Sequence, residues 1–151
     1  MKEYGPSTFG PVVKTLSLKA TPARAFAHFT DNIAVWWPLA IHSLSHDEAK
    51  GLVFEARSGG RIYEIDGAGR TREWGRVKEC EPPHRLVFSW VLEKPADATE
   101  IEVTFADDGK GGADFTLTHR GWLETKSGAD RRAMYDGGWL GVLSAYERTL
   151  R

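Results

Sequence analysis

Two polar residues that could do chemistry lie in segments with the pattern of β-strands. His119 follows Phe115 and Leu117 in an alternation that predicts one face of a strand, so its imidazole is expected to point inward. Glu64 lies in phase with Ile62 and is a second candidate for an inward polar group. Together they would suit acid–base chemistry, since an imidazole titrates near neutral pH. The plainer alternatives are a hydrogen-bonded structural histidine and a carboxylate at a rim or in solvent.

A second pair of candidates is His42 and His46, which are followed by Asp47 and Glu48. On a helix the two imidazoles would share a face, with the spacing of metal ligands. The segment follows Pro38 and lacks a helical apolar pattern, so the sequence favours a polar loop with surface histidines and no metal. A further alternative places His42 at the mouth of a cavity, where it hydrogen-bonds a ligand.

The remaining candidates are weaker. Arg61, Arg76 and Arg120 could each clamp a ligand carboxylate, but solvated positions on the outer face of strands are the simpler interpretation. Cys80 ends a predicted strand, which favours an inert buried thiol over a nucleophile. The chain has no phosphate-binding loop of the Gly-x-x-x-x-Gly-Lys-Ser/Thr type, and no cofactor is expected.

Length and charge narrow the function classes. With 20 Lys and Arg against 21 Asp and Glu, the net charge is −1, so the chain lacks the basic excess of nucleic-acid or membrane-surface binders. The single cysteine excludes an intrachain disulfide and a multi-cysteine metal site. There is no signal peptide and no apolar run of about 18 residues, so a cytoplasmic protein is expected. The 151 residues predict one domain, 1–151.

The elements that must position these residues follow from periodicity. Val12 to Leu18 predicts a strand, Thr21 caps a short helix, and a second short helix from about Asn32 to Trp37 ends before Pro38. A long helix is predicted from about Ala129 to Leu150. Six strands with short connections are predicted between the second short helix and the long helix. Short connections predict an antiparallel meander, because parallel pairs need long crossovers. The six strands are 52–57, 61–66, 73–80, 85–92, 99–105 and 113–119.

Six tryptophans and 16 glycines are the unusual part of the composition. Most of the glycines punctuate the predicted hairpins, but Gly137, Gly138 and Gly141 fall inside the long helix, where each costs about 1 kcal/mol against alanine. This cost predicts either a bend at Gly137–Gly138 or an element that packs very close to the helix backbone. Glycines near position 138 would also leave room between the helix and the sheet. The tryptophans predict an aromatic interior with a hollow part.

Six motifs are distinctive: Thr21-Pro22-Ala23-Arg24-Ala25-Phe26, Trp36-Trp37-Pro38, Gly59-Gly60-Arg61, Glu73-Trp74-Gly75-Arg76-Val77, Glu81-Pro82-Pro83-His84-Arg85-Leu86-Val87-Phe88-Ser89-Trp90 and Gly138-Trp139. Together they resemble the START-like, or SRPBCC, superfamily, and within it the small bacterial proteins related to the activator of the ninety-kilodalton heat-shock chaperone's ATPase (AHSA-type domain). The stretch Trp74 to Trp90 is the most specific part of the resemblance. The resemblance implies an α+β helix-grip fold, in which a curved antiparallel sheet of about seven strands wraps a long C-terminal helix and leaves a cavity between them. Two short helices follow strand 1.

Three functions remain open at this point, since one fold hosts many activities. The favoured hypothesis is a non-enzymatic binder of a small apolar or aromatic molecule. The second is a cyclase-, aromatase- or hydrolase-like enzyme with His119 as acid–base in the same cavity. The third, which rests on the resemblance alone, is an interaction module for a chaperone. The predicted cavity residues are Trp37, His42, Glu64, Trp90, His119, Tyr135 and Trp139.

Overall fold

A single seven-stranded sheet and a long C-terminal helix organise the chain in the computed structural model, which describes residues 6–39, 42–45, 48–91 and 98–150. The helices are α1 (Pro6–Phe9), α2 (Pro22–Thr30), α3 (Ile33–Trp36) and α4 (Lys126–Thr149). The strands are β1 (Val12–Leu18), β2 (Ala49–Phe54), β3 (Arg61–Asp66), β4 (Thr71–Glu81), β5 (Arg85–Trp90), β6 (Thr99–Asp107) and β7 (Ala113–Arg120).

The sheet has the strand order β1-β7-β6-β5-β4-β3-β2, and every neighbouring pair is antiparallel. Strands β2 to β7 form the predicted meander, because short turns connect each strand to the next. β1 joins beside β7, with Val12 opposite His119 and Leu18 opposite Ala113. The first strand therefore lies next to the last one, and α2 and α3 connect it to the far edge of the sheet.

The predicted inward faces are confirmed by burial. Phe88 and Trp90 on β5, and Phe115 and His119 on β7, are at most 2% exposed. α4 covers this concave face with an apolar stripe of Trp139, Val142, Leu143 and Tyr146, all buried. The architecture is the expected helix-grip arrangement, an α+β fold with a curved sheet around a long helix.

Local signals set the helix boundaries. The Thr21 hydroxyl accepts a hydrogen bond from the Arg24 backbone N–H, which confirms it as the cap of α2. α4 begins at Lys126, earlier than predicted, because Thr125 caps it by accepting from the Gly128 N–H at 3.1 Å. β2 begins at Ala49, before the predicted Leu52, and α1 was not predicted at all. None of the described helices combines the length and the apolarity needed to cross a membrane.

The glycines of α4 correct one prediction. Apart from the backbone of α4 itself, a Cβ atom built on Gly137, Gly138 or Gly141 would meet no atom of the described residues within 4 Å, so the predicted close approach is wrong for this part of the chain. Gly137 and Gly141 are exposed and face away from the sheet, so they make no room between helix and sheet. Gly75 on β4 behaves in the opposite way, because its Cβ would overlap the carbonyl oxygen of Ser89 on β5.

Candidate functional site

Four tryptophans meet between α3, the sheet and the middle of α4. Trp37 follows α3, Trp74 lies on β4, Trp90 ends β5 and Trp139 lies on α4, and each is at most 7% exposed. The Trp37 ring lies 5.7 Å from that of Trp90 and 5.9 Å from that of Trp139, measured between centroids. Trp74 lies 5.3 Å from Trp37 and 5.5 Å from Trp90. These are tilted and edge-on contacts of the kind that favour aromatic pairs.

All six indole N–H groups in the chain donate a hydrogen bond to another residue. Trp37 donates to the His42 carbonyl oxygen at 2.7 Å, and Trp90 donates to the Tyr135 hydroxyl at 3.2 Å. The other four are Trp36 to the His28 carbonyl, Trp74 to Glu64, Trp122 to the His119 carbonyl and Trp139 to His119 Nδ1. The orientation of each ring is therefore fixed by a polar contact as well as by packing.

His119 organises one end of this tryptophan cluster. Its Nδ1 accepts from the Trp139 indole N–H at 3.0 Å, so the ring proton belongs on Nε2, which bonds Thr99 Oγ1 at 2.7 Å. The Thr99 hydroxyl in turn donates to the Trp90 carbonyl oxygen at 3.3 Å. The imidazole ring also contacts Trp122 and Tyr135, with centroids 4.4 and 4.9 Å away. Both ring nitrogens are thus engaged, and the tautomer is set by the neighbours.

The protonation of His119 follows from its surroundings. Burial, and to a lesser extent the positive charge of Arg131, lower the pKa of His119 to about 3. The imidazole is therefore neutral at pH 7. A neutral ring with both nitrogens hydrogen-bonded is a structural hub and a poor general base as it stands.

Glu64 lies at the other end of the cluster and is fully buried. One carboxylate oxygen accepts from the Trp74 indole and from the Leu44 backbone N–H, both at 2.6 Å, and the other accepts from the Ser45 N–H at 2.9 Å. Burial raises the pKa of Glu64, but the donors at Ser45, Leu44 and Trp74 outweigh it, so the net pKa lies below the usual value. Among the described residues no basic side chain forms an ion pair with Glu64, so the Ser45 side chain and the N–H groups of Leu44, Ser45 and Trp74 stabilise its charge.

Tyr135 lies where the cluster meets the surface. It is half-buried on α4, with its ring against Trp122 and His119 and its hydroxyl bonded to Trp90. The guanidinium of Arg131, one turn earlier on α4, lies 5.9 Å from the Tyr135 ring centroid. This position makes Tyr135 the border between the tryptophan cluster and solvent.

The seven residues predicted for the cavity divide into two groups. Trp37, Trp90, His119, Tyr135 and Trp139 form one continuous cluster, and Glu64 reaches it through Trp74. His42 contributes its backbone carbonyl to Trp37. Glu64 and His119 form no hydrogen bond with each other, because their polar atoms bond the separate partners given above.

The predictions about metal and arginine sites have simpler outcomes. His46 and Asp47 lie outside the described residues, and within the described ranges no group of three or more His, Cys, Asp or Glu is placed to hold a metal. Arg61 pairs with Glu55 and lies over Tyr63, Arg76 pairs with Glu73, and Arg120 pairs with Glu100 and Glu102. Cys80 is half-buried and burial raises the pKa of its thiol, as expected for an inert cysteine.

Sequence reasoning missed two contributors to the cluster. Thr99 starts β6 in the same phase as Ile101 and lies opposite Trp90, so its inward direction could have been inferred from the alternation. Trp74 donates to Glu64 from the next strand, and no local pattern gives that pairing.

A cleft of about 350 Å³ opens at a different place, between α2 and the C-terminal end of α4. It is lined by Arg24, Ala27, His28, Asn32, Thr149 and Leu150, and none of the predicted cavity residues lines it. His28 bonds Thr149 across this cleft at 2.8 Å, and burial together with Arg24 lowers the pKa of its imidazole.

Comparison with solved structures finds the same fold in many proteins. An anthrahydroquino-γ-pyrone synthase, Txn09, complexed with SUM, is 32% identical over 95% of this chain and 99% of its own, with a TM-score of 0.61. The Aha1 dimer from Colwellia psychrerythraea is 19% identical, over 93% and 95% of the two chains, with a TM-score of 0.68. The self-sacrificing resistance protein CalC from Micromonospora echinospora is 24% identical, over 95% of each chain, with a TM-score of 0.69.

A comparison with curated proteins finds no match. The family model described as activator of Hsp90 ATPase homolog 1-like protein matches residues 19–150, from before α2 to the end of α4. That span includes every strand except β1 and all of the tryptophan cluster. Sequence and fold therefore agree, and the chain belongs to the activator of Hsp90 ATPase homolog 1-like family of START-like proteins.

Proposed function

We propose that this protein binds a planar aromatic molecule between α4 and the concave face of the sheet, against Trp37, Trp90 and Trp139. The observation that carries the proposal is the tryptophan cluster with Tyr135 at its border. Aromatic walls with few polar groups are typical of sites for small apolar ligands. The ligand enters beside Tyr135, whose ring gives up its contacts with Trp122 and His119 to the incoming molecule.

The two buried polar groups supply orientation in this proposal. His119 offers a fixed hydrogen-bonding edge, since its Nε2–H and its Nδ1 already bond partners that a ligand hydroxyl or carbonyl can replace. Glu64 at the other end is an ionised acceptor that favours a ligand with an acidic hydroxyl, such as a phenol. His42 lies beside Trp37, and its imidazole is proposed to contact the ligand at the mouth.

The relative that is 32% identical supports one class of ligand. It is named as a synthase of an anthrahydroquino-γ-pyrone, which is a polycyclic phenolic compound. A hydroxylated polycycle suits a site with aromatic walls and a hydrogen-bond acceptor at one end. We therefore propose hydroxyanthraquinone-like molecules as ligands.

We expect the hydroxyanthraquinone alizarin to quench the intrinsic tryptophan emission with a dissociation constant in the micromolar range. Replacing Tyr135 by alanine is expected to weaken binding about tenfold, because an aromatic contact of this kind contributes about 1–1.5 kcal/mol. The measurement is a fluorescence titration with each variant.

Tyr63→Ala is the matched control for this titration. Tyr63 is also half-buried, but its ring packs under Arg61 on β3, away from the tryptophan cluster. Its affinity for alizarin is expected to stay within about twofold of the wild type. Equal affinity of Tyr135→Ala and wild type, or an absence of quenching in both, would contradict binding at the tryptophan cluster.

A second candidate function is an enzyme of the cyclase or aromatase type in the same place, and the named synthase is the observation that favours it. Acid–base catalysis by His119 would require its neighbours to release it on ligand binding, since both ring nitrogens are engaged and its pKa is about 3. In an assay with a polyketide-like substrate, His119→Ala separates the two functions. Loss of turnover with binding retained favours the enzyme, and a change of affinity alone favours the binder.

The family description also names an activator of a chaperone ATPase, so a chaperone-associated interaction module is a third possibility for this chain. This function would depend on the surface and leave the tryptophan cluster incidental. A pull-down in which chaperone association survives saturation with alizarin would support it.

A further inference from the structure

One face of α4 points away from the sheet and carries exposed apolar residues. Met134 is 58% exposed and Leu140 is 63% exposed, and they lie on the side of the helix opposite Trp139. We call this the outer face of α4. Its exposed members are Asp130, Met134, Gly137, Leu140, Gly141, Ser144 and Arg148.

Among the described residues, no close contact requires the glycines of the outer face. Gly137 and Gly141 each cost about 1 kcal/mol of helix stability against alanine. A Cβ on either one would meet nothing within 4 Å, and neither glycine has a positive φ that would require it. Instead, the missing side chains leave the helix backbone uncovered next to Met134 and Leu140. Another helix can approach closely there.

Glycines alone do not identify a partner, but the charges on the same face do. Asp130 and Arg148 lie nine residues on either side of Trp139, and Gly137 and Gly141 lie two residues on either side of it. In an antiparallel pair of α4 helices centred on this residue, Asp130 of one copy lies level with Arg148 of the other. Each Gly137 lies level with a Gly141. The face is therefore complementary to itself in charge, and its glycines lie opposite one another.

We propose that a second copy of this chain packs its α4 antiparallel on the outer face of α4, around a twofold axis at the level of Trp139. Each Leu140 then lies level with Gly138 of the second copy, next to the bare backbone at its Gly137. Two Asp130–Arg148 pairs close the ends of the contact. A twofold contact uses the same patch on both copies, which this symmetric spacing satisfies and an unrelated partner would not require.

The existing contacts of these charges do not oppose the arrangement. Asp130 pairs with Lys126 at 2.9 Å, but their side chains are 66% and 84% exposed, and surface pairs of this kind contribute little. Arg148 forms no ion pair among the described residues, and it is exposed. When Asp130 changes its ion-pair partner from Lys126 to Arg148 of the second copy, the loss of the first pair therefore costs little free energy.

The test is sedimentation equilibrium of the full chain over a concentration series, starting from the monomer mass of 16.8 kDa. We expect a reversible dimer in the wild type and at least a tenfold weaker one in Gly141→Gln, because the added side chain separates the two backbones. The same variant is expected to raise the thermal stability of the dilute monomer, since glutamine is a better helix former than glycine at an open position. A structural role of Gly141 within the monomer would give the opposite sign.

Charge exchange tests the antiparallel register. Asp130→Arg and Arg148→Asp are each expected to weaken the dimer, and the double variant is expected to restore it. Val35→Gln is the control for general surface apolarity, because Val35 is 70% exposed on α3, outside the outer face of α4. A wild type that stays monomeric up to about 1 mM overturns the proposal, as does a dimer that responds to Val35→Gln and not to Gly141→Gln.

Discussion

Glu64→Ala is expected to lower the free energy of unfolding by about 5 kcal/mol. Each of the three N–H groups on the carboxylate would be left buried without an acceptor, at about 1–3 kcal/mol each. Loss of the side chain also leaves a void in a fully buried position. For a chain of this length the change corresponds to a fall in melting temperature of about 10–20 °C, measured by circular dichroism.

Two further variants, Glu64→Gln and Glu73→Gln, test whether the loss of stability is specific to the Glu64 carboxylate. The glutamine at position 64 keeps one acceptor but turns an amide toward the donors, so we expect an intermediate loss of about 2–3 kcal/mol. Glu73 lies on the neighbouring strand β4, is 41% exposed and pairs with Arg76 on the surface, so its glutamine variant should change stability by less than about 0.5 kcal/mol. Equal stabilities of the 64 and 73 variants would show that Glu64 does not hold the 42–45 segment on the sheet.

Acidification is expected to destabilise the protein through His119 before most carboxylates titrate. The folded-state pKa of His119 is lowered to about 3 from an unfolded value of about 6.5, so the unfolded chain binds a proton that the folded one refuses. The stability from the neutral imidazole is fully present above pH 6.5 and is lost as pH falls toward 3. Between pH 6.5 and 4.5 the loss is about 2–3 kcal/mol, measured by urea denaturation at each pH.

His119→Gln removes this pH dependence while keeping a donor and an acceptor for Thr99 and Trp139. We expect its stability to be lower than that of the wild type at pH 7 and nearly flat from pH 6.5 to 4.5. His28 contributes in the same direction, since burial lowers its pKa as well, and His28→Gln measures that smaller share. If the slope of His119→Gln between pH 6.5 and 4.5 matches that of the wild type, His119 is not the buried neutral group described above.

The fold was predictable because its signals are local. The alternation through Phe115, Leu117 and His119 gives the inward face of β7, and short turns allow only antiparallel neighbours. The Thr21 cap and the proline at the first helical position, Pro22, place α2 correctly because they are also local signals. The start of α4 was missed because Gly128 lowered the apparent helix propensity, although Thr125 caps it.

The site was predictable only in part, because its partners are distant in sequence. Inward directions were correct for Glu64, Trp90, His119 and Trp139, since each follows the period of its own element. The donors to Glu64 come from 44, 45 and 74, and the hydrogen-bond partners of His119 lie at 99 and 139, so each bond joins residues at least 10 positions apart in the sequence. The glycines of α4 predicted a loss of helix stability but not the side of the helix on which they lie. Only the burial of the residues in the structure shows that Gly137 and Gly141 face outward.

The most direct test of ligand binding at the tryptophan cluster is the indole region of a ¹⁵N–¹H correlation spectrum during a titration with alizarin. The six tryptophans give six indole signals, and each N–H has a known partner in the structure. We predict that the signals of Trp90 and Trp139 move most. The signal of Trp36 should move least, because its N–H donates to the His28 carbonyl, on the side of Trp37 away from the proposed site. Six unchanged indole signals at saturating alizarin would contradict the proposed function.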